Sequence, residues 1–168
     1  MTPFILRPFR SDDLTSLVKY ANDPGVAANL TDAFPHPYTE QHGKQFIERF
    51  NAHDPPLVLA IEVNDEAAGA IGLHPLQDVF RRNCEMGYWI ARRYWGQGIM
   101  SRAVRQAALR AFDILPDVHR VFARPYGSNL ASQRVLEKAG FTLEARLKDT
   151  LIKHGQVLDE VIYALRRM

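Results

Sequence analysis

Residues 84 to 112 constrain the fold most strongly, because three different local patterns follow one another there. Cys84–Ala91 is mostly apolar and aromatic between polar flanks, which predicts a strand. The segment RRYWGQGIM then places Gly96 and Gly98 two residues apart. From Gly98 to Phe112, apolar residues recur every three or four positions, as in an amphipathic helix. The sequence therefore predicts a strand, a glycine-rich turn and a helix in direct succession.

The helix over Gly98 to Phe112 has one apolar and one polar face. Its apolar face repeats every four positions and consists of Ile99, Ala103, Ala107 and Ala111, flanked by Met100, Val104, Ala108 and Phe112. Arginine, glutamine and serine cover the other side, and Pro116 ends the segment because proline cannot continue a helix. We therefore expect one face of this helix to be buried.

The turn between this strand and this helix has the arrangement by which proteins bind phosphate. The N–H groups in the first turn of a helix lack acceptors, and the helix dipole attracts an anion to them. Glycines keep side chains out of the path of the anion. The candidate donors run from Trp95 to Ser101, and Arg92 and Arg93 add positive charge. An ordinary turn that uses two glycines for their backbone freedom is the alternative.

Two other phosphate-binding motifs are excluded by the residues of the turn. A P-loop requires a lysine followed by serine or threonine after its last glycine, and no such lysine follows Gly96 or Gly98. A dinucleotide fingerprint requires a third glycine at position 101, which is Ser101 here. Neither motif can therefore explain the glycines.

The rest of the chain predicts three strands and two helices before this region, and a strand, a helix and two strands after it. A strand at Phe4–Phe9 precedes helices that begin near Ser11–Asp13 and at Thr39 or Glu40. Further strands are predicted at 57–63, 67–73, 120–123, about 142–152 and 157–165, with a helix at 129–139. The order β-α-α-β-β-β-α-β-α-β-β predicts an α+β fold, a mixed sheet layered with helices on both faces.

Length and composition limit the classes to which the chain can belong. Its 168 residues predict a single domain over 1–168, and 46% apolar with 24% charged residues is typical of a soluble globular protein. A net charge of +2 is too small to indicate nucleic-acid binding but suits a small anionic ligand. No apolar run is long enough to span a membrane, and the first ten residues do not fit a signal peptide. With one cysteine, we expect a cytoplasmic protein.

Two motifs resemble those of the GCN5-related N-acetyltransferase (GNAT) superfamily. Arg93-Tyr-Trp-Gly-Gln-Gly98 matches its Arg/Gln-x-x-Gly-x-Gly/Ala loop, and the segment from Asn129 to Phe141 resembles its second signature helix. The segments Leu6–Asp13 and Glu85–Ile90 are similar to the branch that acetylates the N-termini of ribosomal proteins. The resemblance extends over essentially the whole chain, including the closing segment Asp159–Leu165.

The resemblance implies a GNAT-like sheet of about seven mostly antiparallel strands with about four helices, and acetyl-CoA as co-substrate without a metal ion. The pyrophosphate would lie on the loop backbone, and the pantetheine arm between two splayed strands, one ending at Ile90 and one at 120–124. A backbone N–H near Ile90 would stabilise the tetrahedral oxyanion. The residues implied for the cofactor are Ile90, Arg93, Trp95, Gly96, Gln97, Gly98, Ile99, Met100, Ser101, Asn129 and Ser132.

Three residues are candidates for the chemistry of acetyl transfer. Glu85 is acidic in an otherwise apolar strand, where burial would raise the pKa of its carboxyl toward that of a useful base; exposure or an arginine partner is the alternative. Ser132 matches the serine that the family places near the cofactor thiol, and Asn129 the asparagine that bonds the pantetheine arm and caps the helix. The family's tyrosine acid is Leu136 here, so Ser132 or Tyr126 would have to hydrogen-bond the thiolate.

The other reactive side chains are predicted to be structural. His74, His119 and His154 lack the paired spacing of metal ligands. Cys84 has no motif that would activate it, so a buried structural thiol is expected there.

The sequence thus predicts an acetyl-CoA-dependent N-acetyltransferase that transfers its acetyl group directly to a primary amine. The acceptor is either a protein N-terminus or a small molecule of the polyamine, antibiotic or amino-acid type, and no pattern selects between them. A non-catalytic acyl-CoA-binding module is the alternative from another class. Neither nucleic acid nor a membrane is expected as a partner, and homodimer formation stays open.

Overall fold

A computed structural model describes residues 2–168, and its main elements follow the predicted order. The strands are β1 (Ile5–Arg7), β2 (Val58–Val63), β3 (Glu66–Pro75), β4 (Asn83–Ile90), β5 (Arg120–Ala123), β6 (Thr142–Lys153) and β7 (Gln156–Arg166). The helices are α1 (Leu14–Ala21), α2 (Pro24–Ala27), α3 (Glu40–Asn51), α4 (Ile99–Ile114) and α5 (Leu130–Lys138). No helix among the described residues has the length and apolar composition needed to cross a bilayer.

Among the α-helices of residues 2–168, the single turn α2 was not predicted from the sequence. Asp23-Pro24-Gly25 indicated a chain break, and α1 does end at Ala21. Asp23 then caps a new turn, because its carboxylate accepts a hydrogen bond from the Gly25 N–H at 2.7 Å. Pro24 occupies the first helical position, where its missing N–H costs nothing. The same residues therefore end one helix and begin another.

The strands form one seven-stranded sheet in the order β1-β2-β3-β4-β5-β7-β6. Strands β4 and β5 run parallel, whereas β1–β2, β2–β3, β5–β7 and β6–β7 are antiparallel pairs. The pairing of β4 with β5 joins Asn83–Glu85 to Arg120–Phe122, well before β4 ends at Ile90. The predicted mixed, mostly antiparallel sheet of about seven strands is confirmed.

The chain divides into two compact units, each built from two segments. The first contains the residues up to Gly72 and Tyr88–Ala103, and the second contains Leu73–Gly87 and Val104–Met168. The boundaries fall inside β3, β4 and α4. The single domain expected over 1–168 stays a prediction.

The first unit has an apolar core and one buried ionic cluster. Leu17, Ile61 and Ile71 are almost completely buried. The Arg7 guanidinium donates to both carboxylate oxygens of Asp13 at 2.7 Å and also to Glu62. Burial opposes ionisation of Asp13, but the hydrogen bonds from Arg7 and from the Arg10 N–H hold the pKa of its carboxyl below the ordinary value. The N-terminal strand is thereby joined to the start of α1.

The second unit is packed around α5 and the buried face of α4. Val104, Ala107, Ala108 and Ala111 are buried, as the periodicity predicted. Gly140 ends α5 with a φ of +90°, and the Phe141 N–H donates to the Leu136 carbonyl at 3.0 Å.

Candidate functional site

The glycine-rich turn lies in the first unit, between the end of β4 and the start of α4. A tight turn over Arg92–Tyr94 follows β4, and Gly96 and Gly98 then adopt φ values of +74° and +71°. Side chains with a Cβ rarely adopt this conformation, so the backbone requires glycine at both positions. A Cβ built on either glycine would meet no atom within 4 Å. The space above the turn is therefore open to a ligand.

The first turn of α4 presents its N–H groups beside these glycines. Helix geometry leaves the first N–H groups of α4 without intrahelical acceptors. Within residues 2–168, no side chain or turn carbonyl accepts from the N–H groups of residues 96–98. Ile99 and Met100 bury their side chains, so only their backbone can contact a ligand. The arrangement suits an anion of the size of a pyrophosphate.

Three side chains of the motif hold the turn in shape. The Trp95 indole N–H donates to the Ile90 carbonyl at 2.9 Å. The Gln97 amide donates to the Arg93 carbonyl at 2.9 Å and accepts from the Thr2 hydroxyl at 2.9 Å. The Ser101 hydroxyl donates to the Gly98 carbonyl at 3.1 Å. The turn is therefore held by its own side chains and, through Gln97, by the N-terminal segment.

The two arginines before the turn are held by the segment that contains α1 and α2. Arg92 forms an ion pair with Asp23 at 2.6 Å, and its guanidinium lies 5.8 Å from the centre of the Trp95 ring. The Arg93 guanidinium lies 3.5 Å from the Tyr20 hydroxyl, which in turn donates to Glu66. Arg92 is thus paired with Asp23, and the contribution of the two arginines to binding an anion stays a prediction.

Arg102 is a residue of this region that the sequence analysis did not single out. Its guanidinium donates to the Gly98 carbonyl at 3.2 Å and to the Thr2 carbonyl at 2.6 Å. Its position four residues after Gly98, on the exposed face of α4, was the available signal. Arg102 ties the start of α4 to the N-terminal segment and adds positive charge beside the turn.

The end of β4 carries the backbone proposed for the oxyanion. Ile90 is buried, and the following Ala91 N–H donates to the Ala68 carbonyl at 2.8 Å. A Cβ at Gly69 would lie 2.4 Å from the Trp89 carbonyl oxygen, so only glycine allows this approach of the backbones. Gly69 was another residue missed in the sequence, because nothing in its local pattern shows what lies against it.

In the second unit, Asn129 and Ser132 lie together at the start of α5. The Asn129 side-chain oxygen accepts from the Ser132 N–H at 3.1 Å, which makes Asn129 the N-cap of this helix. The predicted structural role of Asn129 is confirmed, and its side-chain N–H₂ group can still donate to another partner. Ser132 is half-buried in the first helical turn.

Glu85 is paired with an arginine. Its two oxygens lie 3.0 and 3.4 Å from nitrogens of the Arg124 guanidinium. Arg124 also pairs with Glu160 at 3.3 Å, and Tyr126 forms a backbone bridge with Glu160. The burial expected for Glu85 is therefore not observed, since its side chain is 32% exposed. The structure instead shows the alternative, in which Glu85 is paired with an arginine.

Cys84 and the possible metal ligands are the remaining reactive groups. Burial raises the pKa of the Cys84 thiol to about 12, so this cysteine is the buried structural thiol that was predicted. Among residues 2–168, no cluster of three or more histidine, cysteine or acidic side chains is placed to hold a metal ion.

Comparisons with known proteins agree with this geometry. A family model described as an acetyltransferase (GNAT) domain matches residues 4–142. The "Putative ribosomal N-acetyltransferase YdaF" of Bacillus subtilis (strain 168) is 38% identical over 97 residues, 58% of this chain and 52% of that protein. The ribosomal protein uS5-alanine N-acetyltransferase of Escherichia coli (strain K12) is 34% identical over 98 residues, 56% of this chain and 50% of that protein. The chain thus spans about half the length of these two curated relatives.

A solved structure shares the fold over nearly the whole chain. RimL, a ribosomal L7/L12 alpha-N-protein acetyltransferase in complex with coenzyme A, superposes with a TM-score of 0.82 at 20% identity. The match covers 99% of this chain and 95% of that chain. This likeness concerns the fold.

Proposed function

The chain belongs to the acetyltransferase (GNAT) family, and on that premise we propose that it transfers an acetyl group from acetyl-CoA directly to a primary amine. The observation that carries the proposal is the open turn of Gly96 and Gly98 before the first N–H groups of α4. Pyrophosphate oxygens are the ligands that such a turn accepts. On this proposal the cofactor is held mainly by backbone groups of residues 95–101, with Arg102 as a nearby positive charge.

The transfer requires few protein groups. The neutral amine attacks the thioester carbonyl, the C–N bond forms, and the tetrahedral intermediate expels the CoA thiolate while the amine loses a proton. We assign the oxyanion to a backbone N–H near Ile90 and the thiolate hydrogen bond to Ser132, by their match to the family motifs. Tyr126 is the second candidate for the thiolate.

Glu85 stays a predicted base, either directly or through a water molecule. Its ion pair with Arg124 argues against this role, since both carboxylate oxygens face the guanidinium. An amine that arrives already neutral would need no strong base from the protein.

For the acceptor we propose a protein N-terminal amine. The support comes from the two curated relatives compared above, which are named a ribosomal N-acetyltransferase and a ribosomal protein uS5-alanine N-acetyltransferase. A small-molecule amine is the second candidate. We also propose that the protein acts in the cytoplasm, as its single cysteine suggests.

The function is tested by incubating the protein with acetyl-CoA and a panel of acceptors, while thiol release and the acetylated product are both measured. The panel contains peptides with free and with blocked N-termini, polyamines and amino acids. We expect acetylation of peptides with a free N-terminus alone. Binding of acetyl-CoA without product on any acceptor would favour the non-catalytic module, and failure to bind acetyl-CoA would contradict the proposal entirely.

Ser132→Ala tests the catalytic assignment. We expect kcat to fall on the order of 10²-fold, because the departing thiolate loses its hydrogen-bond donor, while the Kd of acetyl-CoA changes little. Ser128→Ala is the matched control, since Ser128 is exposed in the preceding loop. An unchanged kcat in Ser132→Ala would move the role to Tyr126 or to water.

A further inference from the structure

A cationic cavity lies in the second unit, at the ends of β4, β5 and β7. Its volume is about 320 Å³, near the lower limit of small-molecule sites. The residues that line it are Arg82, Asn83, His119, Arg120, Arg166 and Arg167. Four of these six side chains are arginines, and none is acidic.

One carboxylate balances part of this charge. Glu144 pairs with Arg120 at 2.6 Å and also with Arg166. Arg120 donates in addition to the Asn83 side-chain oxygen at 2.9 Å. Four arginines against Glu144 leave a formal excess of three positive charges at the cavity. Like charges held together repel one another, and an anion would relieve this repulsion.

Several donors at the cavity remain available. Within residues 2–168, the side chains of Arg82 and His119 have no hydrogen-bond or ion-pair partner, and both residues are exposed. The Arg166 side chain is 62% exposed and uses one nitrogen for Glu144. The lining thus includes at least two guanidinium groups with free N–H donors.

The guanidinium of Arg167 is held in place at the cavity by backbone carbonyls. Its guanidinium donates to carbonyls at the C-terminal end of α4 and just after it, those of Phe112, Leu115 and Pro116. Its Nε is buried and has no acceptor among the described residues. The carbonyls therefore fix the position of this positive charge, while Nε itself is not accessible from the cavity.

Backbone hydrogen bonds fix the positions of these cations. The N–H groups of His119 and Arg120 both donate to the Arg82 carbonyl, at 2.9 and 3.1 Å. The Arg167 N–H donates to the His119 carbonyl at 2.9 Å. Because the strand ends are linked in this way, the cationic side chains are brought together before any ligand arrives, which lowers the cost of binding.

We propose that this cavity binds a small oxyanion with two or more negative charges. The planar guanidinium group matches both phosphate and carboxylate in a bidentate manner, so the recognised chemistry is the clustered oxyanion itself. The site consists of residues from 82–83, 119–120 and 166–167, and it includes none of the residues proposed for acetyl transfer. It therefore does not depend on the proposed function.

The test measures binding of inorganic pyrophosphate and of citrate by titration calorimetry at low ionic strength. The titrations use the Gly98→Asp protein, in which the negative charge excludes pyrophosphate from the turn at 96–98, and are repeated in the wild-type protein. We expect one bound ion per chain in Gly98→Asp. Tighter binding of pyrophosphate would identify phosphates as the natural class, and tighter binding of citrate would identify carboxylates.

Arg82→Gln with Arg166→Gln should weaken binding at least about tenfold, because charge-assisted hydrogen bonds are lost. Arg82→Gln alone should weaken it as well, and it leaves the Glu144 ion pairs intact. Arg134→Gln is the control, since it removes an equal charge from an exposed arginine on α5. The proposal is overturned if neither ion binds or if the double substitution leaves the affinity unchanged. It is also overturned if Arg134→Gln weakens binding as much as Arg82→Gln alone does. Circular dichroism verifies that each variant is folded.

Discussion

Gly98 has a positive φ and open space where a Cβ would lie. The first property is set by its own backbone, and the second by its surroundings. A φ of +71° costs a residue with a Cβ about 1–2 kcal/mol, whatever surrounds it. The absence of atoms within 4 Å of a Cβ shows that packing does not exclude a side chain there. Gly155 in the β6–β7 turn has the same two properties, with a φ of +75° and open space. Only at Gly98 does a helix begin at the next residue, and this combination indicates an anion site.

The pair of glycines gives a matched experiment. We expect Gly98→Ala and Gly155→Ala to lower the free energy of unfolding by about 1 kcal/mol each, since both introduce a Cβ at positive φ. Gly98→Ala should also weaken CoA binding about tenfold, because the methyl group stands between the pyrophosphate and the backbone. Calorimetric Kd values and urea titrations measure the two effects. Equal CoA affinity in both variants would show that the cofactor lies elsewhere.

At the scale of elements, the turn that precedes α4 is held from a distant part of the sequence. Asp23 caps α2 and pairs with Arg92, and Tyr20 on α1 contacts Arg93. The Asp23–Arg92 contact joins residues that are 69 positions apart. The start of α3 and the bounds of α4 and β5 follow from local sequence patterns and were predicted within two residues. A contact between distant residues leaves no such local signal.

Asp23→Asn tests whether this contact positions the turn. Asparagine keeps the Oδ1 acceptor that caps α2, so we expect the free energy of unfolding to fall by less than about 1 kcal/mol. The Kd of CoA should rise a few-fold, because the contact with Arg92 loses its charge and holds the turn less firmly, while kcat with saturating acetyl-CoA stays near the wild-type value. Arg134→Gln removes a comparable exposed ion pair in α5 and should leave both quantities unchanged. A CoA affinity equal to that of the wild type would limit Asp23 to its structural role.

For the whole molecule, the division into two units raises the question of cooperativity. Neither unit is a continuous stretch of chain, and the boundaries lie within β3, β4 and α4. Separating the units would require those elements to break where the backbone is regularly hydrogen-bonded. We therefore propose that the chain unfolds as a single domain.

Urea unfolding distinguishes one transition from two. Trp89 and Trp95 both belong to the first unit, so tryptophan fluorescence reports on that unit, whereas far-ultraviolet circular dichroism reports on both. We expect the two signals to give the same midpoint and the same free energy of unfolding. A fluorescence midpoint that differs from the circular dichroism midpoint would indicate units of separate stability.

The sequence by itself determined the order of the main elements, the class of sheet and the turn at Gly96 and Gly98, because caps, periodicity and backbone freedom act between near neighbours. The position of Asn129 at the start of a predicted helix also identified it as a cap, which the structure confirms. Only the tertiary structure showed that Glu85 is paired with Arg124, that Arg92 is held by Asp23, and that four arginines surround one cavity. These features depend on which distant residues the folded backbone brings within hydrogen-bonding distance. Local sequence patterns do not indicate such contacts.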